Sequence, residues 1–230
     1  MASSKFGGYM TARPRLRETK QARSSATRVR LLESAIATLC KRGYADTTTT
    51  TIAEDAGVTR GALQYHFASR EAMLDAALDY LADKRNSELL DALATEPGPA
   101  TSSEFLDLMW NSFATDLFPA SLEFFMGTKR DPGFTDHLQQ FDQRHSEGIR
   151  KAFSGFFGPA LFKDRDGVLL VQGTLNLMRG IALMRYVAED TGASFFLGKD
   201  AGRQQWLYWR DRIAPQFDEY RRAGEKARAR

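Results

Sequence analysis

The stretch from Thr47 to Phe67 constrains this chain most, because it sets two short helix signatures on either side of a single glycine. Five consecutive threonines, Thr47 to Thr51, lead directly into Ile52-Ala53-Glu54-Asp55-Ala56-Gly57-Val58. A threonine hydroxyl caps a helix by accepting one of its first backbone N–H groups, so Thr48 predicts a short helix ending near Ala56. Gly57 then supplies a tight turn, Thr59 can cap a second short helix, and Leu63 and Phe67 share the inner face of that helix at i, i+4. The small apolar residues Ala53, Ala56 and Val58, with Leu63, let the two helices cross closely. That is what a helix-turn-helix requires.

The rest of the chain also reads as helix. Residues 1–24, with Gly7-Gly8, Pro14 and scattered arginines, have no apolar period and predict a flexible basic arm, and Met10 offers a second start. Val29, Leu32, Ile36, Leu39 and Cys40 recur at three- and four-residue steps, so a first helix buries one stripe and stops at Gly43 in a left-handed cap. Ser69 opens a long helix with Glu71 in its first turn and Leu74, Leu78, Leu81 and Leu89 along it. Glu96-Pro97-Gly98-Pro99 ends that run, since two prolines around a glycine cannot continue a helix. Beyond it the pattern predicts helices over about 103–117, a short one after Pro119, and long ones over 134–157, 164–190 and 203–223. Phe134, Leu138, Phe141, His145, Ile149 and Phe153 line one face of the first long one. There is no alternating strand pattern and no internal repeat, so the fold class is all-α.

Charge is unevenly distributed. Residues 1–45 carry ten Lys/Arg against two Asp/Glu, residues 46–100 carry four against ten, and the remainder eighteen against seventeen. A basic N-terminal block points to a polyanion, because neutralising phosphates dominates non-specific nucleic-acid affinity. The single cysteine, Cys40, forms no internal disulfide, which suits a reducing, cytoplasmic setting. No secretory signal is visible, and the most apolar stretch, Val168 to Val187, is interrupted by Gln172, Asn176, Arg179 and Arg185, which argues against a membrane span. No cofactor motif is present. An enzyme is disfavoured, because G-x-S-x-G, Walker and H-E-x-x-H patterns are missing, three histidines and one cysteine at unrelated spacings make a weak metal site, and Asp142-x-x-His145 lacks a nucleophile.

The outer face of the second short helix carries Arg60, Ala62, Gln64, Tyr65 and His66. Arginine can donate two bonds to guanine, glutamine can pair with adenine, and an alanine methyl can meet a thymine methyl, so the set suits a major groove. The segments Ile52-Ala53, Ala56-Gly57-Val58, Gly61-Ala62-Leu63, His66-Phe67, Ser69-Arg70-Glu71 and Leu74 resemble, in order and spacing, the tetracycline-repressor (TetR/AcrR-like) family of bacterial transcriptional regulators. The resemblance covers roughly residues 25–85. It implies a helix-turn-helix DNA-binding domain over 25–85, joined through the long helix to a helical ligand-binding and dimerisation domain over 86–230.

Carried over by position, the resemblance implies that Thr48, His66 and Arg70 touch phosphates. It likewise implies that Thr50, Arg60, Gly61 and Ala62 face base edges of a palindromic operator and that Thr59 caps the reading helix. The family's aromatic after Leu63 is here Gln64, which becomes a candidate base reader, and the phosphate role passes to Tyr65. The resemblance also implies a homodimer and a small-molecule effector. Trp206, Trp209, Ile213, Phe217 and Tyr220 repeat on one helix face, and Gly173 and Gly180, seven apart, would admit a neighbouring helix; they are the candidate dimer interface. Candidate ligand contacts are Trp110, Phe113, Phe125, Phe141 and His145, with a polar seam of Gln172, Asn176 and Arg179. The competing reading is a helical protein-interaction module whose basic arm binds an acidic partner.

Overall fold

A computed structural model describes residues 14–113, 117–128, 135–191 and 201–228, and every regular element among them is helical. The first, α1 (Pro14–Asp46), begins well before the stripe that betrayed it. Residues 14–24, expected as part of the arm, are helical, because arginine, lysine, glutamine, glutamate and alanine dominate there and proline is preorganised for a first helical turn. Residues 1–13 lie outside the described residues. The buried stripe is Leu31, Leu32, Ala35, Ile36 and Leu39, whereas Val29 is 37% exposed. Val29 stands two residues, about 200°, around the helix from Leu31. Gly43 does interrupt the helix, but at φ 75° and ψ 172°, an extended positive-φ conformation open essentially to glycine alone, after which one more turn runs to Asp46.

The next three helices, α2 (Thr49–Asp55), α3 (Arg60–His66) and α4 (Arg70–Ala94), each open on the hydroxyl cap that the sequence predicts. Thr48 Oγ1, Thr59 Oγ1 and Ser69 Oγ each accept the backbone N–H three residues on, from Thr51, Ala62 and Ala72, all at 3.1 Å. Thr51 returns the favour by accepting the Thr48 N–H at 3.0 Å, which closes a capping box. After the proline break come α5 (Ser102–Phe113), α6 (Leu117–Thr128), α7 (Thr135–Phe157), a 3-10 turn over Pro159–Phe162, α8 (Arg165–Thr191) and α9 (Ala201–Arg228). On α7 the stripe Phe141, His145, Ile149 and Phe153 is buried as expected; Phe134 and the Leu138 side chain lie outside the described residues.

Two apolar cores result. One gathers Leu31, Ile52, Leu63, Phe67, Leu74 and Leu81 of the first four helices, and it also takes in Ala120 and Phe124 of α6 and Phe141 of α7. The other joins Leu89, Phe105, Trp110, Phe153, Leu175, Trp206 and Phe217. Helix α4 feeds both, so the division expected at residue 85 falls inside a continuous helix.

The expected interface face of α9 is corrected by this packing. Trp206 and Phe217 are 1% and 0% exposed, turned into the chain's own core. Trp206 stacks on Trp110 at 5.5 Å and donates its Nε1–H to Asp107 at 2.8 Å, while Phe217 packs against Phe153 and Phe157. Ile213 is half-buried against the same core, and only Trp209 of the named residues stays outward, beside exposed Tyr208. A five-residue aromatic stripe is wide enough to serve the core with one edge and solvent with the other. On α8 the outward stripe is Leu169, Gln172, Gly173, Asn176, Gly180 and Met184. Gln172 and Asn176, expected in a ligand pocket, therefore face outward. By length and composition alone α8 could cross a bilayer, yet its inner face, Val171, Leu175, Met178 and Ala182, is spent on the second core.

Candidate nucleic-acid interface and buried cationic cluster

The reading unit is fixed by small hydrogen bonds between its helices. Ser34 Oγ donates to the Ile52 carbonyl at 3.1 Å and Thr38 Oγ1 to Asp55 at 3.0 Å, which hold α2 on α1. Gly57, at φ 62°, makes the turn, and the Val58 N–H returns to the Ala53 carbonyl at 3.0 Å. Leu63 and Phe67 then seat α3 in the first core, and the Arg28 guanidinium covers the Phe67 ring at 4.6 Å. What remains of α3 faces solvent. Arg60, Gly61 and Gln64 are exposed, Tyr65 is 79% exposed, and Ala62 and His66 are half-covered. Thr48 and Thr50 are exposed at the start of α2. A Cβ added at Gly61 would meet nothing within 4 Å, so nothing inside the chain requires a glycine there.

Arg70 is the exception among the expected DNA contacts. Its guanidinium turns back into the chain, donating from Nε to the Thr47 carbonyl at 2.7 Å and from Nη2 to the Tyr44 carbonyl at 2.5 Å, with its plane over the Tyr44 ring at 4.7 Å. It thereby clasps α4 to the α1–α2 connection by donating to two backbone carbonyls there.

The second candidate site lies between α4, α5, α6, α7 and α8. Arg85 of α4 is 5% exposed; its Nη1 donates to Ser121 Oγ at 2.9 Å and its Nη2 makes a long bond to the Ser112 carbonyl at 3.5 Å, while its Nε has no partner. Arg179 of α8, half-buried, donates from Nη1 to Asn176 Oδ1 at 3.0 Å, and the Arg85 and Arg179 guanidinium groups lie 5.5 and 6.0 Å from the centre of one ring, Phe113. His145 of α7 is 8% exposed, stacked on Phe141 at 5.9 Å, with its Nδ1 unpartnered. Burial, with the Arg179 charge beside it, pulls Arg85 down to about 10. Burial and the two arginine charges hold His145 at about 3, so the imidazole is neutral.

Of the expected ligand residues, Phe113, Phe141, His145 and Arg179 converge here and Trp110 is buried in the adjoining core. Phe125 is instead 41% exposed, edge-on to Phe141, because α6 turns that residue away from the bundle. Asp142 is exposed on α7 and makes no pair with His145, which faces the interior. No group of three or more metal-ligating side chains occurs among the described residues.

The sequence model of the bacterial regulatory proteins of the tetR family matches residues 31–77, which run from α1 into α4 and contain the whole α2–turn–α3 unit. The HTH-type transcriptional regulator CymR of Pseudomonas putida is 25% identical over 76% of this chain and 86% of its own. The HTH-type transcriptional regulator TtgR, also of Pseudomonas putida, is 44% identical, over 29% of this chain and 31% of its own. Among solved structures, a TetR transcription regulator from Haloarcula marismortui superposes with a TM-score of 0.61 at 22% identity, over 84% of this chain and 98% of its own. The chain is similar to TetR-family regulators, and its residues 31–77 match that family's model. It is a DNA-binding transcriptional regulator built from an N-terminal helix-turn-helix and a helical C-terminal part.

The family match at residues 31–77 contains the reading unit and ends before the buried cluster. The cluster's central residue, Arg85, was absent from the expected set. Its signal is nonetheless in the sequence: the stripe Leu74, Leu78, Leu81 and Leu89 has a three- or four-residue step that lands on Arg85. A charge inside such a stripe is either paired or poised for a ligand.

Proposed function

We propose that the chain is a homodimeric repressor that binds a palindromic operator in the cytoplasm and is released from it by a small molecule held at the Arg85–Arg179–His145 cluster. The observation that carries this reading is the course of α4. Its first residue, Arg70, clasps the reading unit, and fifteen residues on, about 22 Å along the axis, Arg85 sits in the buried cluster. A ligand that shifts α4 changes the separation of the two α3 readers, which must match groove repeats about 34–36 Å apart. Release requires the ligand to favour the non-binding geometry by differential affinity, since tight binding alone shifts nothing.

In this reading Thr50, Arg60, Gly61, Ala62 and Gln64 meet base edges, while Thr48, Tyr65 and His66 meet phosphates. Two copies associate through the outward faces of α8 and α9, with Gly173 and Gly180 admitting close helix approach and Trp209 beside them. Leu169 and Met184, both exposed apolar side chains on that α8 face, support the same surface.

Selection of bound duplexes from a random pool tests the reading directly. The expected outcome is an enriched palindrome whose binding falls with salt at a log–log slope near about −0.9 per phosphate neutralised. Protein that prefers no duplex at any salt concentration would overturn it.

A further inference from the structure

The buried cluster holds more positive charge than the chain answers. Among the described residues neither Arg85 nor Arg179 is ion-paired to a carboxylate; the acids that act on them, Glu88 and Asp142, are exposed at the surface. The two guanidinium groups share the Phe113 ring and repel one another, the Arg85 Nε donor is unused, and His145 Nδ1 beside them is also unused. Burying a charge without a partner is among the costliest arrangements a fold can keep, and a neutral or cationic ligand would leave that cost in place or raise it.

We propose that the effector is an organic carboxylate on an apolar body, its carboxylate oxygens accepting hydrogen bonds from Arg85 and Arg179 beside His145. The proposal rests on the reading that this cluster is the effector site, and it adds the chemical class. A carboxylate offers two oxygens in the plane that a guanidinium fork matches, and it neutralises the repelling pair. The apolar body follows from the surroundings, where Phe113, Phe118 and Phe141 line the cluster with rings. A phosphate dianion fits less well, because its second charge would be desolvated against those rings. The low His145 affinity for protons agrees, since a neutral imidazole leaves the two arginines as the only charges an anion must satisfy.

A matched panel tests this on the full-length protein: benzoate, phenylacetate and octanoate, their amides, the corresponding amines, and inorganic phosphate. Thermal melting, tryptophan fluorescence and operator release would be read for each. The acids are expected to raise the melting temperature while amides, amines and phosphate do not. Arg85→Met and Arg179→Met are expected to weaken acid binding by about 30-fold or more, the loss seen when one partner of a buried charge pair is truncated. Arg85→Met should not lower the melting temperature of ligand-free protein, which separates loss of the site from loss of the fold.

Amides or amines that stabilise as well as the acids, a panel in which no acid stabilises, or acid binding unchanged in Arg85→Met would each overturn the proposal. Acids that bind through Arg85 yet leave operator affinity unaltered would support the carboxylate site and overturn ligand-driven release. Release by amides or amines alone would do the reverse.

Discussion

Arg70 Nε donates to the Thr47 carbonyl oxygen at 2.7 Å, one residue before the hydroxyl that caps α2. With the second bond to Tyr44, this places one guanidinium at the meeting point of α1, α2 and α4. Arg70→Met keeps the alkyl stem and removes both bonds, so it is expected to lower unfolding free energy by about 1.5–3 kcal/mol in urea titrations, the range for bonds from a charged donor. Loss of operator affinity with unchanged stability would instead mark Arg70 as a phosphate contact.

Gly61 offers a separation of fold from function. Nothing in the chain crowds a methyl at that position, so Gly61→Ala should stabilise the protein by about 0.5–1 kcal/mol through helix propensity. The same methyl stands where the bases are proposed to approach, so operator affinity is expected to fall. Fluorescence anisotropy with the selected duplex, set beside a thermal melt, decides the matter; tighter or equal binding would remove Gly61 from the reading surface.

On α8, Gly173 and Gly180 have open space beyond them in a single copy of the chain. Gly180→Leu should therefore fold normally yet prevent close approach of a second copy, which sedimentation would read as a shift towards monomer. Operator binding should weaken with it, because two half-sites are then bound independently. A variant that sediments as the unaltered protein does would move the interface elsewhere.

His145 predicts a pH dependence of stability. Its affinity for protons is depressed in the folded chain, from 6.5 to about 3, chiefly by burial and then by the Arg85 and Arg179 charges. Above pH 6.5 neither state binds the proton, and the contribution is fully present. Between 6.5 and about 3 the unfolded chain takes up a proton that the folded one refuses, so stability falls as pH falls, by up to about 1.4 kcal/mol per pH unit. Chemical denaturation of His145→Gln across pH 7 to about 4 should show a shallower slope than the unaltered chain, while lost stacking on Phe141 shifts the whole curve equally. Parallel curves would place the lost proton affinity on other groups.

The legible parts of the molecule are those whose signals are local. Three hydroxyl caps, the Gly57 turn and the proline break are written within a few residues of where they act, and each stands where the sequence puts it. Periodicity located α7 and α8 to within about two residues at each end. The faces of α9 and α8 were not legible, because a stripe shows that a helix is amphipathic without showing what covers it. Trp206 and Phe217 are claimed by the chain's own core, and Gln172 and Asn176 look outward on a helix whose apolar residues lie on more than one side. The Arg70 clasp and the burial of Arg85 were not legible for one reason: a long charged side chain finds its partners, or lacks them, across distances in sequence that no motif spans.

Phe141 lies at once in the core beneath the DNA-reading helices and face to face with His145. Severing the chain near residue 85 would consequently leave the first four helices with vacancies where Ala120, Phe124 and Phe141 belong, and such a fragment should melt early and bind DNA poorly. The intact protein, by the same token, should lose both halves in a single thermal transition. The His145 ring thus touches, through one aromatic contact, the core that α4 shares with the reading unit.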